Sequence, residues 1–184
     1  MKTLENEVNY FTVPTRNEVS SNNQVIFDNL EKSLGFVPNL YATFALNETA
    51  LGDYLALQNR KSTLSPKERE IINLVVSQVN DCKYCLAAHT ILGKVNGFTD
   101  DQILEIRRAQ ISFNEKWAVL SKFVRETTIN RGRPSENSLK ALFDAGYTKA
   151  NSIDIIMIIG DKIISNYLHS FTQIPVDFPI APNL

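Results

Sequence analysis

Residues 65–97 constrain this chain more than any other stretch. Ser65-Pro66-Lys67-Glu68 is a strong helix start: serine can cap, proline suits the first turn, and Glu68 can close a capping box. Ile71, Ile72, Leu74, Val75, Val76 and Val79 then cover much of a helix circumference, so this helix is central and well buried. Its β-branched residues favour strand, but the capping signals and the absence of period-two alternation outweigh them. Asn80-Asp81 interrupts the helix, and either residue can cap the next one. That helix runs to about Val95, stops at Asn96-Gly97, and carries Cys82-Lys83-Tyr84-Cys85-Leu86-Ala87-Ala88-His89. Both cysteines and one of the two histidines of the chain lie in those eight residues.

The remainder reads as helix too. Asn22 or Asn23 can cap a first helix, in which Val25, Ile26, Leu30 and Leu34 recur at helical spacing before Gly35 stops it. Pro38 opens a second with Leu40, Phe44 and Ala45 on one face, and 49–59 forms a third with Leu51, Leu55 and Leu57 inward. Thr99 caps a short helix containing Ile103, Leu104 and Ile106; 114–129 carries Trp117, Leu120, Phe123 and Val124; Ser135 starts another helix that ends at Gly146. Thr148 caps a last long helix, to about Ser170, apolar nearly all round at 155–159. Residues 1–21 are an irregular arm on the surface or on a neighbouring subunit. Residues 174–184 hold three prolines and cannot be helical. No strand, repeat or linker is evident, so the spacing predicts one all-α domain over 1–184 with about eight helices.

A hydrophobic fraction of 43% is ample for a folded core, and a net charge of -1 offers no field for nucleic acid or an anionic membrane. Arg107-Arg108 and Arg131-Gly132-Arg133 are too short for a nucleic-acid patch. The apolar run 155–159 is too short to span a bilayer, and the start has no apolar signal-peptide core. A cytoplasmic protein is expected, where C-x-x-C argues for redox use over a structural staple.

Steps of three and four residues put Cys82, Cys85 and His89 on a helical stripe about 60° wide. Sulfurs one turn apart can close a disulfide, and an imidazole can take a thiol proton near neutral pH. The helix start favours a thiolate at Cys82, while Cys85 is the sulfur nearer His89. Tyr84 adds a phenol able to donate or relay a proton. Among carboxylates that could orient the imidazole, Glu68 is taken by the cap, whereas Glu70 borders the apolar face beside Leu74 and Ser77. Two rival readings are apolar filling by the cysteines and a zinc site of Cys82, Cys85, His89 and Glu70. Redox use outweighs both: the cysteines pair with a base, and zinc ligands seldom crowd one helical face. His169, near the end of the last helix, reads as a helix-terminus residue, with a subunit contact or pocket rim as the sharper alternative.

The spacing Glu-x11-Cys-x2-Cys-x3-His, at Glu70, Cys82, Cys85 and His89, resembles the AhpD-like alkylhydroperoxidases of the carboxymuconolactone decarboxylase superfamily. The likeness is strongest over 51–97. It extends loosely to Leu34-Gly35-Phe36-Val37-Pro38-Asn39-Leu40, Asn166-Tyr167-Leu168-His169 and Asp177-Phe178-Pro179. It implies an all-α AhpD-like fold built on a central helical hairpin, with the dithiol on its second helix, in homo-oligomers (dimers, trimers or hexamers). It implies a hydroperoxide reductase in which Cys85 becomes a sulfenic acid, Cys82 resolves it, and His89 and Glu70 relay protons. A lipoyl- or thioredoxin-type dithiol would reduce the disulfide, with no cofactor or metal. Tyr84 stands where the best-studied branch has a second histidine, and a phenol of pKa about 10 is a poor base at neutral pH. The alternatives are a thiol–disulfide exchange or redox-sensing module, and a helical oligomer whose pocket binds another small molecule.

Overall fold

A computed structural model describes residues 10–184 of the chain. Among them, nine α-helices follow a 3₁₀ turn at Arg16–Glu18, and there is no strand. They are α1 (Ser21–Leu34), α2 (Asn39–Phe44), α3 (Ala50–Asn59), α4 (Pro66–Val79), α5 (Lys83–Val95), α6 (Asp100–Arg108), α7 (Glu115–Ile129), α8 (Glu136–Asp144) and α9 (Lys149–Thr172). The all-α expectation holds, with one helix more than the rough count.

Helix α4 is the hub, packed by α5, α6, α7 and α9. Ile71, Ile72, Leu74, Val75 and Val76 are fully buried and meet Leu120, Val124, Leu142 and Ile155 in the main core. Each such side chain contributes about 1.5–3 kcal/mol by leaving water. The expected capping box starts this helix: Ser65 Oγ accepts from the Glu68 N–H, and Glu68 accepts from Ser65. A smaller core gathers Phe27, Ala42, Ala45 and Leu51 from α1, α2 and α3.

Three local readings change. Ser20, not Asn22 or Asn23, caps α1, and Asn23 is fully buried, donating to the Ala45 and Asn47 carbonyls. That clamp turns α1 so that Val25 and Leu34 face solvent while Phe27 is buried. Around 155–159 helix α9 is not apolar on every side inward: Ile155, Ile158 and Ile159 are buried, whereas Ile156 and Met157 are exposed. The third change, at the start of α5, belongs to the site.

The start of α9 is fixed by Asp154, whose carboxylate accepts from the Thr63 N–H and hydroxyl and pairs with Arg60. Of the expected arm, residues 1–9 lie outside the described residues. Further on, Phe11 packs edge-on against Phe171 of α9, ring centroids 5.1 Å apart. The tail from Gln173 is non-helical, as expected, and Arg107 ties it down by donating to the Pro182 carbonyl. Among the described residues no helix is long and apolar enough to cross a membrane.

Candidate active site

The turn between α4 and α5 builds the site. Asp81 adopts the left-handed conformation (φ 50), which Asp tolerates better than most residues. The Cys82 N–H then donates to the Ser77 carbonyl (3.0 Å), and α5 folds back against α4. Because Asp81 makes the turn, neither it nor Asn80 caps α5. Cys82 is itself the N-cap, its Sγ accepting from the Cys85 N–H at 3.3 Å. Both cysteines are free thiols, and they share a hydrogen bond.

Glu70 and His89 face one another across the two helices. Glu70 Oε1 lies 2.6 Å from His89 Nδ1, and both side chains are buried. The other imidazole nitrogen, Nε2, lies 3.2 Å from Nζ of Lys162 on α9. An ammonium can only donate, so Nε2 accepts and Nδ1–H donates to Glu70. Lys162 is 2% exposed and also lies 3.6 Å from Asp161. Glu70, His89 and Lys162 thus form one buried line across α4, α5 and α9.

The two thiols differ. Cys85 lines a cavity of about 360 Å³, whereas Cys82 is fully buried and is not part of its wall. The hydrogen bond from Cys82 holds the Cys85 thiol below its ordinary value, with the charge of Lys162 and a hydrogen bond from Asn166 adding to it against burial. That same hydrogen bond, together with burial, pushes the Cys82 thiol up. A helix start alone favours a thiolate at Cys82. Here its sulfur is enclosed, and the groups that favour an anion converge on Cys85. The cavity wall is mostly apolar and includes five aromatic residues, Phe36, Tyr41, Tyr54, Tyr84 and Phe178.

Tyr84 contributes its ring to that wall, but its hydroxyl points elsewhere. The oxygen accepts from the Leu40 N–H (3.2 Å) and hydrogen-bonds Asp177, whose carboxylate also accepts from the Asn39 N–H. Tyr84 therefore straps α5 to the start of α2 and to the tail. The His169 ring lies 5.4 Å from the Tyr84 ring at a 40° tilt, and burial lowers its pKa. Among the described residues no group of three or more His, Cys, Asp or Glu is arranged to hold a metal. The ammonium at His89 Nε2 would also repel a cation.

The sequence points to Cys82, Cys85, His89 and Glu70, and the structure brings these four together. Lys162 and Asn166 are the additions. Asn166 is fully buried, accepts from Asn80 (2.9 Å), donates to Ser77 (3.3 Å) and adds its hydrogen bond to Cys85. The signal for Lys162 was an Asp-Lys pair inside an otherwise apolar stretch of a buried helix, which calls for a partner.

Residues 45–123 match the sequence model of the carboxymuconolactone decarboxylase family. The fold is similar to that of a protein described as an alkylhydroperoxidase AhpD core, an uncharacterized peroxidase-related protein from Ralstonia eutropha JMP134. The TM-score is 0.82 at 19% identity, over 91% of each chain. Over residues 45–123 the chain resembles the carboxymuconolactone decarboxylase family, and it has an AhpD-like fold. The AhpD-like fold recurs in an uncharacterized peroxidase-related protein from Silicibacter sp. TM1040, with TM-score 0.80 and 24% identity, over all of this chain and 96% of that one. It recurs again in the debrominase Bmp8 in complex with 2,3,4-tribromopyrrole, with TM-score 0.75 and 16% identity, over 90% of each chain. No curated protein matches the sequence. The family match ends before Lys162 and Asn166.

Proposed function

We propose that this AhpD-like protein is a thiol-dependent reductase of organic hydroperoxides, cycling through a Cys82–Cys85 disulfide. The observation that carries the reading is Cys85: a thiol held toward its anion at the wall of an apolar cavity, with a second thiol hydrogen-bonded behind it. The Cys85 thiolate attacks the distal peroxide oxygen; the S–O bond forms, the O–O bond breaks, and the alkoxide leaves with the electron pair. The Cys82 thiol then attacks the sulfenic sulfur, giving the disulfide and water. An external dithiol returns both thiols and is itself oxidised. A lipoyl-type arm suits a cavity of about 360 Å³ better than a protein surface, because both sulfurs are buried. The same burial argues against an exchange module whose sulfurs must meet a protein disulfide.

A second electrophile fits the aromatic wall. A brominated aromatic ring, like the one held by Bmp8, would stack among Tyr41, Tyr54 and Phe178. Thiolate attack on bromine would give the same disulfide, with bromide released and a proton on the ring carbon. The deciding experiment follows cumene hydroperoxide and tribromopyrrole consumption side by side, with dihydrolipoamide as reductant. Loss of peroxide that stops in Cys85→Ser supports the reductase; turnover of the halide alone overturns it.

A second copy of the chain is the partner we assign to the outer face of α9. Ile153, Met157, Ile164, Tyr167 and Phe171 form an exposed apolar stripe at alternating four- and three-residue steps around Gly160. Sedimentation of Ile164→Glu beside the native chain tests this: a lighter species is expected, and an unchanged mass contradicts it.

A further inference from the structure

We propose that Lys162 is a catalytic residue of this site: its ammonium is the counterion of the Cys85 thiolate and the acid that protonates the departing oxygen. The second half rests on the hydroperoxide reading above; the first does not.

The placement carries the argument. Lys162 comes from α9, far along the chain from the dithiol, yet it lines the same cavity as Cys85. A lysine this buried is retained only where its charge is used or matched. Its partners are the neutral face of His89 and the carboxylate of Asp161, so it is held in place and not quenched by a short carboxylate contact. It also lines a second cavity, of about 260 Å³, that shares His89, Tyr41, Gln58 and Leu92 with the first. That cavity is polar, walled by Arg69, Glu70, Asn73 and Asp161. Lys162 and His89 therefore belong to the wall common to an apolar chamber holding the sulfur and a polar chamber able to supply protons.

His89 cannot deliver a proton from this geometry. Its Nδ1–H is committed to Glu70, and its Nε2 carries none while it accepts from Lys162. Of the two residues, Lys162 is the one with a proton to give. When the O–O bond breaks, the alkoxide takes a proton from Lys162 and leaves as the alcohol. The resulting amine is reprotonated from the polar chamber, and the charge is restored. The imidazole, oriented by Glu70, keeps Lys162 aimed into the cavity.

Other charged and titratable groups belong to the site or to the residues that line it. From α5 come Cys82 and His89, and from α4 Glu70 behind the imidazole. Helix α9 adds Asp161, α3 adds Tyr54, and α2 adds Tyr41, whose phenol is pushed up to about 12 chiefly by burial. The tail adds Asp177, held by Tyr84 and Asn39. Arg69 lines the polar chamber and not the apolar one, and among the described residues Lys162 is the one fixed cation on the wall that Cys85 shares, so removing it should act on Cys85 directly.

Two measurements test this. The first is the rate of Cys85 alkylation by iodoacetamide against pH, for the native chain, Lys162→Met and Lys162→Arg. Trypsin cuts after Lys83, so the two thiols are read on separate peptides. Lys162→Met should alkylate Cys85 at least about tenfold more slowly at pH 7, its profile displaced upward by about one pH unit or more, with Lys162→Arg close to native. A Lys162→Met profile that overlays the native one, with native circular dichroism, overturns the counterion. If Lys162→Met does not fold, Lys162→Gln is read by the same criterion. The second measurement compares single-turnover oxidation by cumene hydroperoxide with oxidation by a peracid, whose carboxylate leaves without a proton. Lys162→Met should lose at least about tenfold more rate with the hydroperoxide than with the peracid. Equal losses overturn the acid role. If the native chain oxidises with neither, the hydroperoxide reading fails, while the alkylation profiles still decide the counterion.

Discussion

Glu70 on α4 and His89 on α5 meet at 2.6 Å, a buried carboxylate against a buried imidazole nitrogen. The contact fixes which nitrogen carries the proton and leaves the other to accept from Lys162. Glu70→Gln keeps the shape and removes the charge. An amide can present either an acceptor or a donor to Nδ1, so the tautomer is no longer fixed. We expect turnover to fall by about tenfold to a hundredfold, as when the partner orienting a working histidine is lost. Steady-state peroxide consumption, beside a thermal melt showing the fold intact, checks it. An unchanged rate would mean that His89 orientation is immaterial.

Tyr84→Phe separates a strap from a proton relay. The Tyr84 hydroxyl serves the Leu40 N–H and Asp177, not His89 or a sulfur. Its removal leaves a buried N–H unpaired, at a cost of about 1–3 kcal/mol. The expected outcome is a lower melting temperature with turnover within about threefold of native at a temperature where both fold. A fall of two orders of magnitude in turnover would return Tyr84 to the relay.

Asp154 anchors the helix that carries Lys162, through Thr63 and Arg60. Bonds from the Thr63 N–H and hydroxyl and from Arg60 hold its carboxyl well below the usual range despite burial. A carboxyl depressed in the folded state stabilises the fold above its unfolded value of about 3.9, and that gain is lost as pH falls through the folded value. Asp154→Asn should therefore cost about 1.5–3 kcal/mol at pH 7, and the gap from native should narrow progressively below about pH 4. Urea unfolding at a series of pH values measures this. A gap independent of pH would assign the effect to packing.

Much of the site could be read from residue order because it lies on two consecutive helices with strong boundaries. Ser65-Pro66-Lys67-Glu68 fixed the phase of α4, and Asn96-Gly97 the end of α5, so Glu70 and His89 could be placed on facing sides. The cap of α5 was not legible, because cysteine is a rare cap and the better capping residue, Asp81, makes the left-handed turn instead. Lys162 was missed for a different reason. Its contact to His89 spans 73 residues, and helical periodicity says which face is apolar, not which charge that face carries into the core. The Tyr84 hydroxyl depended on the tail, whose path has no periodic signal.

The central claim is that Cys85 attacks a hydroperoxide and Cys82 resolves the product. Intact-mass spectrometry after one equivalent of cumene hydroperoxide tests it most directly. The account predicts loss of two hydrogens in the native chain by closure of a Cys82–Cys85 disulfide. Cys82→Ser should instead gain one oxygen, as a dimedone-trappable sulfenic acid at Cys85, and Cys85→Ser should not react. Both thiols remaining free in the native chain, or oxidation landing on Cys82, would contradict it.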